Sequence, residues 1–164
     1  REFAVDSARG RVFIGEYAGL RSPATVHSPI AGVELRVSGR SWLPLRPGWQ
    51  YAILAAQGSA SVAGTNLEVN QLAYFEVGER RGIWIDVPAG ETALLVLLGG
   101  EPFTEEILMW WNFLARGHDE IVAMRTLWNA QDGSDARGAY PPFDDDLGGW
   151  IPAPELPNVT LRSR

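Results

Sequence analysis

Short apolar stretches fill the first hundred residues, and glycine and proline separate them. Residues 33–37 read Val, Glu, Leu, Arg, Val, with an apolar side chain at every second position. This period of two is typical of a strand with one buried face. Similar stretches occur at Arg11–Tyr17, Trp42–Leu43, Tyr51–Ala56, Ser59–Val62, Leu72–Phe75, Ile83–Val87 and Thr92–Leu98. Many short strands between regular turn signals predict an all-β sandwich or barrel.

A different period appears near residue 119. The segment 119–130 places Ile121, Met124 and Trp128 at i, i+3 and i+7, which is one face of a helix. Two acidic residues stand at its start, where the helix dipole favours negative charge. We predict one amphipathic helix whose apolar face packs within its own domain. A docking face for a partner is the alternative.

The last part of the chain is rich in proline and acidic residues. We expect Tyr140–Phe143 and the triplet Asp144–Asp146 to form an exposed excursion. The triplet lacks the alternating oxygen ligands of a calcium loop, so a solvated acidic turn is the favoured interpretation. Three prolines in Ile151–Leu161 predict an extended tail.

Composition removes several classes of function. The 164 residues are 46% hydrophobic and 21% charged, as in one ordinary globular domain. The absence of cysteine excludes disulfides, thiolate metal sites and a cysteine nucleophile. All 14 positive residues are arginine, which excludes a Schiff-base lysine and a phosphate-loop lysine. A net charge of −6 without a basic stripe predicts no direct nucleic-acid binding.

No apolar run approaches the ~20 residues that span a bilayer, so we expect no membrane partner. Residues 1–20 do not resemble a secretory signal, and we expect a cytoplasmic location. The first residue is Arg1 and not methionine, which suggests a piece of a larger protein.

Side chains suited to catalysis are scarce. His27 and His118 are the two histidines, and neither belongs to a metal-binding pair of histidines. We expect His118 to have a role at the start of the helix. No Gly-x-Ser-x-Gly motif is present, and neighbouring carboxylates such as Glu105 and Glu106 point apart. The seven tryptophans predict core filling ahead of a ligand-binding cavity.

Several stretches together resemble one family. Gly15–Pro23 (GEYAGLRSP) is similar to the glycine and Ser-Pro segment that pirins carry where their two domains join. Leu98–Phe103 (LGGEPF), Met109–Phe113 (MWWNF) and His118–Ile121 (HDEI) resemble the end of the second pirin barrel and its following helix. Ile151–Pro157 (IPAPELP) resembles the tail of bacterial pirins. The chain thus resembles the C-terminal half of a bacterial pirin-like protein.

This resemblance implies a fold and a separate role for each of two domains. Pirins are two-domain cupins, and each domain is a double-stranded β-helix, or jelly-roll barrel. Their iron lies in the N-terminal barrel, where some members oxidise quercetin with dioxygen. The resemblance implies a segment 1–30 joined to a missing N-terminal iron-binding domain, a cupin barrel at 31–104, and a strand, helix and tail at 105–164 that pack on the barrel.

The spacing of the first cupin motif tests whether this barrel could hold iron. That motif has ligands at two histidines and a glutamate, and Leu45, Pro47 and Tyr51 stand at their positions between Gly39 and Gly58. The second motif runs here from Asn70 through Glu76, Gly78 and Arg81 to Ile85, with Arg81 at the histidine position. Leucine and proline have no side-chain donor atom and arginine is a permanent cation. We therefore expect no metal and no cofactor in this chain, with iron in the parent protein.

A pocket could remain without the metal. The resemblance places Tyr51, Glu76, Arg81 and Trp84 near its mouth, where Arg81 and Tyr51 could hold an anionic or phenolic ligand. The favoured alternative is that Arg81 pairs with Glu76 or Glu79 and that Tyr51 packs in the barrel.

Three functions follow as hypotheses. The first is a structural and interaction domain that supports the missing iron domain and exposes an apolar patch where that domain docks. The second makes the chain one part of an iron-dependent quercetin 2,3-dioxygenase-type oxidoreductase. The third is a small-ligand-binding or regulatory cupin. A homodimer that exchanges N-terminal strands is a further possible assembly.

Overall fold

A computed structural model describes residues 1–130 and 151–162. The described residues form thirteen strands and one helix: β1 (Glu2–Val5), β2 (Ala8–Tyr17), β3 (Leu20–Arg21), β4 (Ile30–Val37), β5 (Ser41–Pro44), β6 (Gln50–Gln57), β7 (Ala60–Val62), β8 (Thr65–Leu67), β9 (Leu72–Phe75), β10 (Gly82–Asp86), β11 (Ala93–Gly100), β12 (Leu108–Trp110), β13 (Phe113–Ala115) and α1 (His118–Ala130). The chain divides into two compact units, Arg1–Pro102 and Phe103–Arg164.

The first unit is a pair of antiparallel sheets around one core. Seven strands form one sheet in the order β1-β2-β4-β11-β6-β9, with β3 paired to β2, and four form the other in the order β5-β10-β7-β8. Alternate residues of both sheets turn inward and form a single apolar cluster. Leu35, Ile53, Ile83, Ile85 and Leu95 are among its fully buried members. The predicted all-β barrel is confirmed.

The N-terminal residues belong to this barrel. The predicted linker or strand segment 1–30 supplies β1, β2 and β3 of the seven-stranded sheet. β2 pairs with β4 from Ala8↔Val37 to Gly15↔Ala31, and Ala8 is buried in the core. The physical reason is that arginine and core-facing residues alternate along the start of β2, which gives it one buried face.

The second unit is built on the helix and a short hairpin. β12 pairs with β13, and Ile121 of α1 is fully buried in a cluster with Leu108 and Phe113. Met124 and Trp128 pack against the same cluster. The predicted helix is confirmed, and its apolar face packs against residues of its own unit.

The described tail, residues 151–162, contains no helix or strand and is held along α1 by hydrogen bonds. The Trp128 indole N–H donates to the carbonyl of Ile151 at 2.8 Å. The Asn129 side chain accepts the Ala153 N–H at 2.7 Å and donates to the Ala153 carbonyl at 3.1 Å. The predicted excursion over 140–146 lies outside the described residues. Within the described chain no helix has the length and apolar character needed to cross a bilayer.

Candidate functional site

The positions that the resemblance aligns with cupin metal ligands lie at one end of the barrel. Leu45 follows β5 directly, and its N–H donates to the carbonyl of Arg81 at 2.8 Å, which extends the β5–β10 ladder by one pair. Leu45 and Tyr51 are both buried and line one cavity. Pro47 lies exposed in the turn between β5 and β6, and Arg81 is exposed as well.

This set of side chains does not fit iron. Leu45 and Pro47 offer no donor atom, and Arg81 carries a permanent positive charge. The Tyr51 hydroxyl oxygen accepts the Arg46 N–H at 2.9 Å. Burial raises the pKa of Tyr51, although the hydrogen bond and charge of Arg46 oppose this, so the phenol stays protonated at neutral pH. A protonated phenol is a poor metal ligand.

The cavity at this end of the barrel has a volume of about 190 Å³. We call it the barrel-end cavity. Its walls come from the end of β2, the start of β4, the start of β6 and the turn before β6. Tyr17, Ala31, Leu45, Trp49 and Tyr51 are the buried residues that line it.

Aromatic rings define the shape of the barrel-end cavity. The rings of Trp49 and Tyr51 stack with centroids 6.1 Å apart. Tyr17 packs on Phe3 at 5.5 Å between ring centroids. Gly99 of β11 makes room for the Tyr51 ring, because a Cβ at this position would overlap it. The absence of a side chain at Gly99 therefore positions one wall of the cavity.

The Tyr17 hydroxyl is a buried polar group without a protein partner among the described residues. Only 4% of the residue is exposed. Burial raises the pKa of Tyr17 above its ordinary value, and the nearby Tyr51 raises it further. The hydroxyl is therefore a protonated hydrogen-bond donor at neutral pH, and its isolation costs about 1–3 kcal/mol.

An ion pair stands at the rim of the barrel-end cavity. The Arg46 guanidinium lies 2.6 Å from the Glu16 carboxylate and 5.0 Å from the centre of the Trp49 ring. Both charged side chains line the cavity and are about half exposed. We call them the rim ion pair. Because the carboxylate offsets the guanidinium, the rim carries little net charge.

The structure does not bring together the four pocket residues that the sequence suggested. Trp84 turns away from the core because its neighbours Ile83 and Ile85 turn inward. Its ring packs against Trp42 at 5.1 Å and under the guanidinium of Arg40 at 4.3 Å.

The other two members of that set lie in one exposed loop. Glu76 and Arg81 both belong to the segment between β9 and β10. No ion pair of Arg81 occurs among the described residues, so the alternative pairing with Glu76 or Glu79 is absent from them. Of the suggested pocket residues, Tyr51 is the one that lines the barrel-end cavity.

The two histidines lie apart from this cavity. His27 is exposed in the loop before β4. His118 begins α1 in the second unit, and its Nδ1 atom accepts the Leu161 N–H at 3.2 Å. This contact ties the tail to the helix start. No cluster of three or more potential metal-ligating side chains occurs within residues 1–130 and 151–162.

A second notable feature is apolar surface on the outer face of the seven-stranded sheet. Cross-strand neighbours line up there in two rows of three across β9, β6 and β11. Leu72 is 53% exposed, Tyr74 54% and Leu98 47%. We call this surface the apolar strip, and its residues are Leu72, Leu54 and Val96 in one row and Tyr74, Ala52 and Leu98 in the other.

Solved structures resemble this chain, one of them over nearly its full length. A crystal structure of quercetin 2,3-dioxygenase from Acinetobacter baumannii matches with a TM-score of 0.84 and 33% identity, covering 99% of this chain and 52% of that one. A protein from Geobacillus kaustophilus matches with a TM-score of 0.55 and 24% identity, over 64% of this chain and 44% of that one. The second likeness shows the fold alone.

Sequence relatives agree with the structural ones. A Pseudomonas aeruginosa protein with the provisional name quercetin 2,3-dioxygenase is 34% identical over 145 residues, which are 87% of this chain and 44% of the relative. The chain thus spans about half the length of these relatives. The family model for the pirin C-terminal cupin domain matches residues 30–132. The chain belongs to the pirin family and contains its C-terminal cupin domain.

Proposed function

We propose that this chain is the metal-free cupin half of a two-domain protein of the quercetin 2,3-dioxygenase type. Its role is structural and interactive: it supports an N-terminal cupin that holds iron. The observation that carries the proposal is the apolar strip. The relatives are about twice as long, which leaves room for one further domain.

The apolar strip has the character of a protein contact. Three strands present aliphatic and aromatic side chains side by side, and Leu72, Tyr74 and Leu98 are each about half exposed. Continuous apolar surface of this kind marks interaction sites. β9 is also the last strand of its sheet, so its outer edge has backbone groups open to a neighbour. The occupant that fits is the N-terminal cupin of the same protein.

The unsuitability of the barrel for iron gives the second support. Since Leu45, Pro47, Tyr51 and Arg81 do not form a ligand set, any oxidation of a flavonol by dioxygen belongs to the other domain. That domain would supply the metal, and this one would stabilise it. The proposal includes a cytoplasmic location and involves neither nucleic acid nor membrane.

A chimera tests the role directly. The N-terminal half of the Acinetobacter baumannii enzyme would be joined to this chain in place of its own C-terminal half. We expect one cooperative thermal transition above that of the N-terminal half alone, and flavonol consumption by the chimera. Leu72→Arg should lower that transition and weaken the activity, because it places a charge in the contact.

Val77→Arg is the matched control, since Val77 is 51% exposed and Leu72 is 53% exposed, and Val77 lies in the loop outside the apolar strip. Equal effects of the two substitutions would contradict the proposed contact. Sedimentation of the chain alone tests the competing occupant. A dimer that Leu72→Arg dissociates would assign the strip to a second copy of the chain.

A further inference from the structure

We propose that the outer face of the seven-stranded sheet binds a phosphate group between Arg9 and Arg36, as the free ion or in a small monoester. Both arginines line a cavity of about 620 Å³ whose walls come from β1, β2 and β4. We call it the sheet-face cavity. It shares no residue with the barrel-end cavity or the apolar strip, so the proposal goes beyond the proposed docking role.

The strand register brings the two arginines together. Arg9 of β2 and Arg36 of β4 are directly opposite each other in the ladder. Both are exposed, and because Ala8, Leu35 and Val37 beside them are buried, both side chains extend from the outer face. Directly opposite residues on neighbouring strands have Cβ atoms about 4.5–5.5 Å apart. Two guanidinium groups can therefore reach the same small ligand.

The carboxylates of the sheet-face cavity are grouped around a third arginine. Arg11 lies 3.2 Å from the Glu34 carboxylate on one side, and Glu2 is directly opposite Arg11 in the β1–β2 ladder on the other. Neither Arg9 nor Arg36 has an ion pair among the described residues. The positive charge of the cavity is therefore left unmatched between Arg9 and Arg36.

This arrangement is unfavourable in the absence of an anion. Like charges directly opposite each other on neighbouring strands destabilise a sheet. The chain has 20 acidic residues against 14 arginines, so it has carboxylates enough to pair both arginines. An anion bound between Arg9 and Arg36 would remove the repulsion and replace it with attraction.

The donor groups select a compact anion with two charges. Each guanidinium is a planar fork of N–H donors that binds two oxygens of one phosphate group side by side. A phosphate group concentrates two negative charges at the point that both forks reach, whereas acetate has only one. The volume of the sheet-face cavity is within the range of small-molecule sites, so the rest of a small ester also has room.

An NMR titration of the chain with inorganic phosphate tests the proposal. At pH 8 and constant ionic strength, we expect saturable shifts of the backbone amide signals around Arg9 and Arg36. Acetate should bind at least tenfold more weakly. Phenyl phosphate should shift the same signals. Tighter binding of phenyl phosphate would support a monoester as the ligand, and equal binding would support the free ion.

Arg36→Gln should have two opposite effects. It should weaken phosphate binding about tenfold, because one of the two charged forks is lost. It should also raise the melting temperature of the ligand-free chain by about 1–3 °C, because the repulsion is removed. Arg81→Gln is the matched control, since Arg81 is also exposed without an ion pair among the described residues and lies outside the cavity.

Three results would overturn the proposal: no saturable shifts, shifts that lie away from β2 and β4, or full phosphate affinity in Arg36→Gln. Equal weakening by Arg81→Gln would also contradict it, because the effect would then follow the net charge of the chain. Leu72→Arg on the apolar strip should leave phosphate binding unchanged. The chimera experiment does not depend on phosphate, so failure of this site and failure of the docking role are distinguishable.

Discussion

The centre of the barrel and its cavity end are built from the same strands but contain different chemistry. In the centre, Ile53, Ile85 and Leu95 are fully buried and fill the space between the sheets with aliphatic groups alone. At the cavity end, Tyr17 and Tyr51 bring phenol hydroxyls among the buried side chains beside a cavity of about 190 Å³.

This contrast indicates which part of the barrel stabilises the fold. Aliphatic packing in the centre stabilises the fold without polar cost. The buried Tyr17 hydroxyl has no partner among the described residues, and it destabilises the barrel. Packing alone does not need the Tyr17 hydroxyl, since phenylalanine would fill nearly the same space without the polar cost.

Leu95→Ala tests the centre of the barrel and should cause the largest change in the free energy of unfolding. Leu95 is fully buried, and its truncation leaves a cavity between the two sheets. We expect a loss of about 3 kcal/mol in the free energy of unfolding. Urea denaturation measures it, and a loss below about 1 kcal/mol would contradict the assignment of stability to the centre.

Gly99→Ala tests how the centre and the cavity end are connected. The added Cβ would overlap the Tyr51 ring, which must then move within the cavity. We expect a loss of about 2 kcal/mol in the free energy of unfolding. Gly78→Ala serves as control, because its Cβ would meet no atom closer than 4.0 Å. Equal effects would show that the Tyr51 ring is not constrained.

Tyr17→Phe should stabilise the protein, in contrast to the two preceding substitutions. Removing a buried hydroxyl without a partner should raise the free energy of unfolding by about 1 kcal/mol. The same substitution at Tyr74 removes a hydrogen bond to Gln50 at the surface and should give no gain. Destabilisation by Tyr17→Phe would mean that the hydroxyl has a partner in the folded protein.

The pH dependence of the free energy of unfolding also tests whether the Tyr17 hydroxyl is buried. The pKa of Tyr17 is raised in the folded state, so the folded chain holds this proton at a pH where the unfolded chain releases it. Stability is therefore fully present below pH ~10 and falls as the pH rises above it. Between pH 9 and 11 the loss should be about 1 kcal/mol smaller in Tyr17→Phe than in the unsubstituted chain. Equal losses would show that Tyr17 titrates normally.

Glu16→Gln should have the smallest effect. It breaks the rim ion pair, whose side chains are 49% and 45% exposed, so solvent already screens most of the attraction. We expect a change of about 0.5 kcal/mol or less that vanishes in high salt. Glu34→Gln, which breaks the exposed pair with Arg11, should behave alike. A much larger effect at Glu16 would mean that the rim is closed to solvent.

Much of the barrel could be predicted from alternation. The buried residues of β6 follow a strict period of two, and those of β4 do so from Val33 to Val37. The cupin spacing led from Leu45 to Tyr51 at the cavity end. The outward position of Trp84 could also have been predicted from alternation. Ile83 and Ile85 on either side are aliphatic and face the core, so Trp84 between them faces outward.

Tyr17 could not be placed in this way. The register of β2 against β4 shifts between Val12 and Ile14, so the buried positions change from even to odd numbers. Gly15 has a φ of +67° there, and a Cβ on it would overlap the carbonyl of Ile30. A bulge of this kind turns Tyr17 inward, and the alternation before it predicts the opposite face. The candidate site was therefore incomplete, because Tyr17 was absent from it.

Measuring iron binding to the purified chain would show whether the end of the barrel holds a metal. The chain would be incubated with ferrous iron without oxygen, freed of unbound metal and analysed for its iron content. We expect no stoichiometric iron, because Leu45, Pro47, Tyr51 and Arg81 do not form a ligand set. One iron bound per chain would contradict it and would direct attention to His27, His118 and the carboxylates.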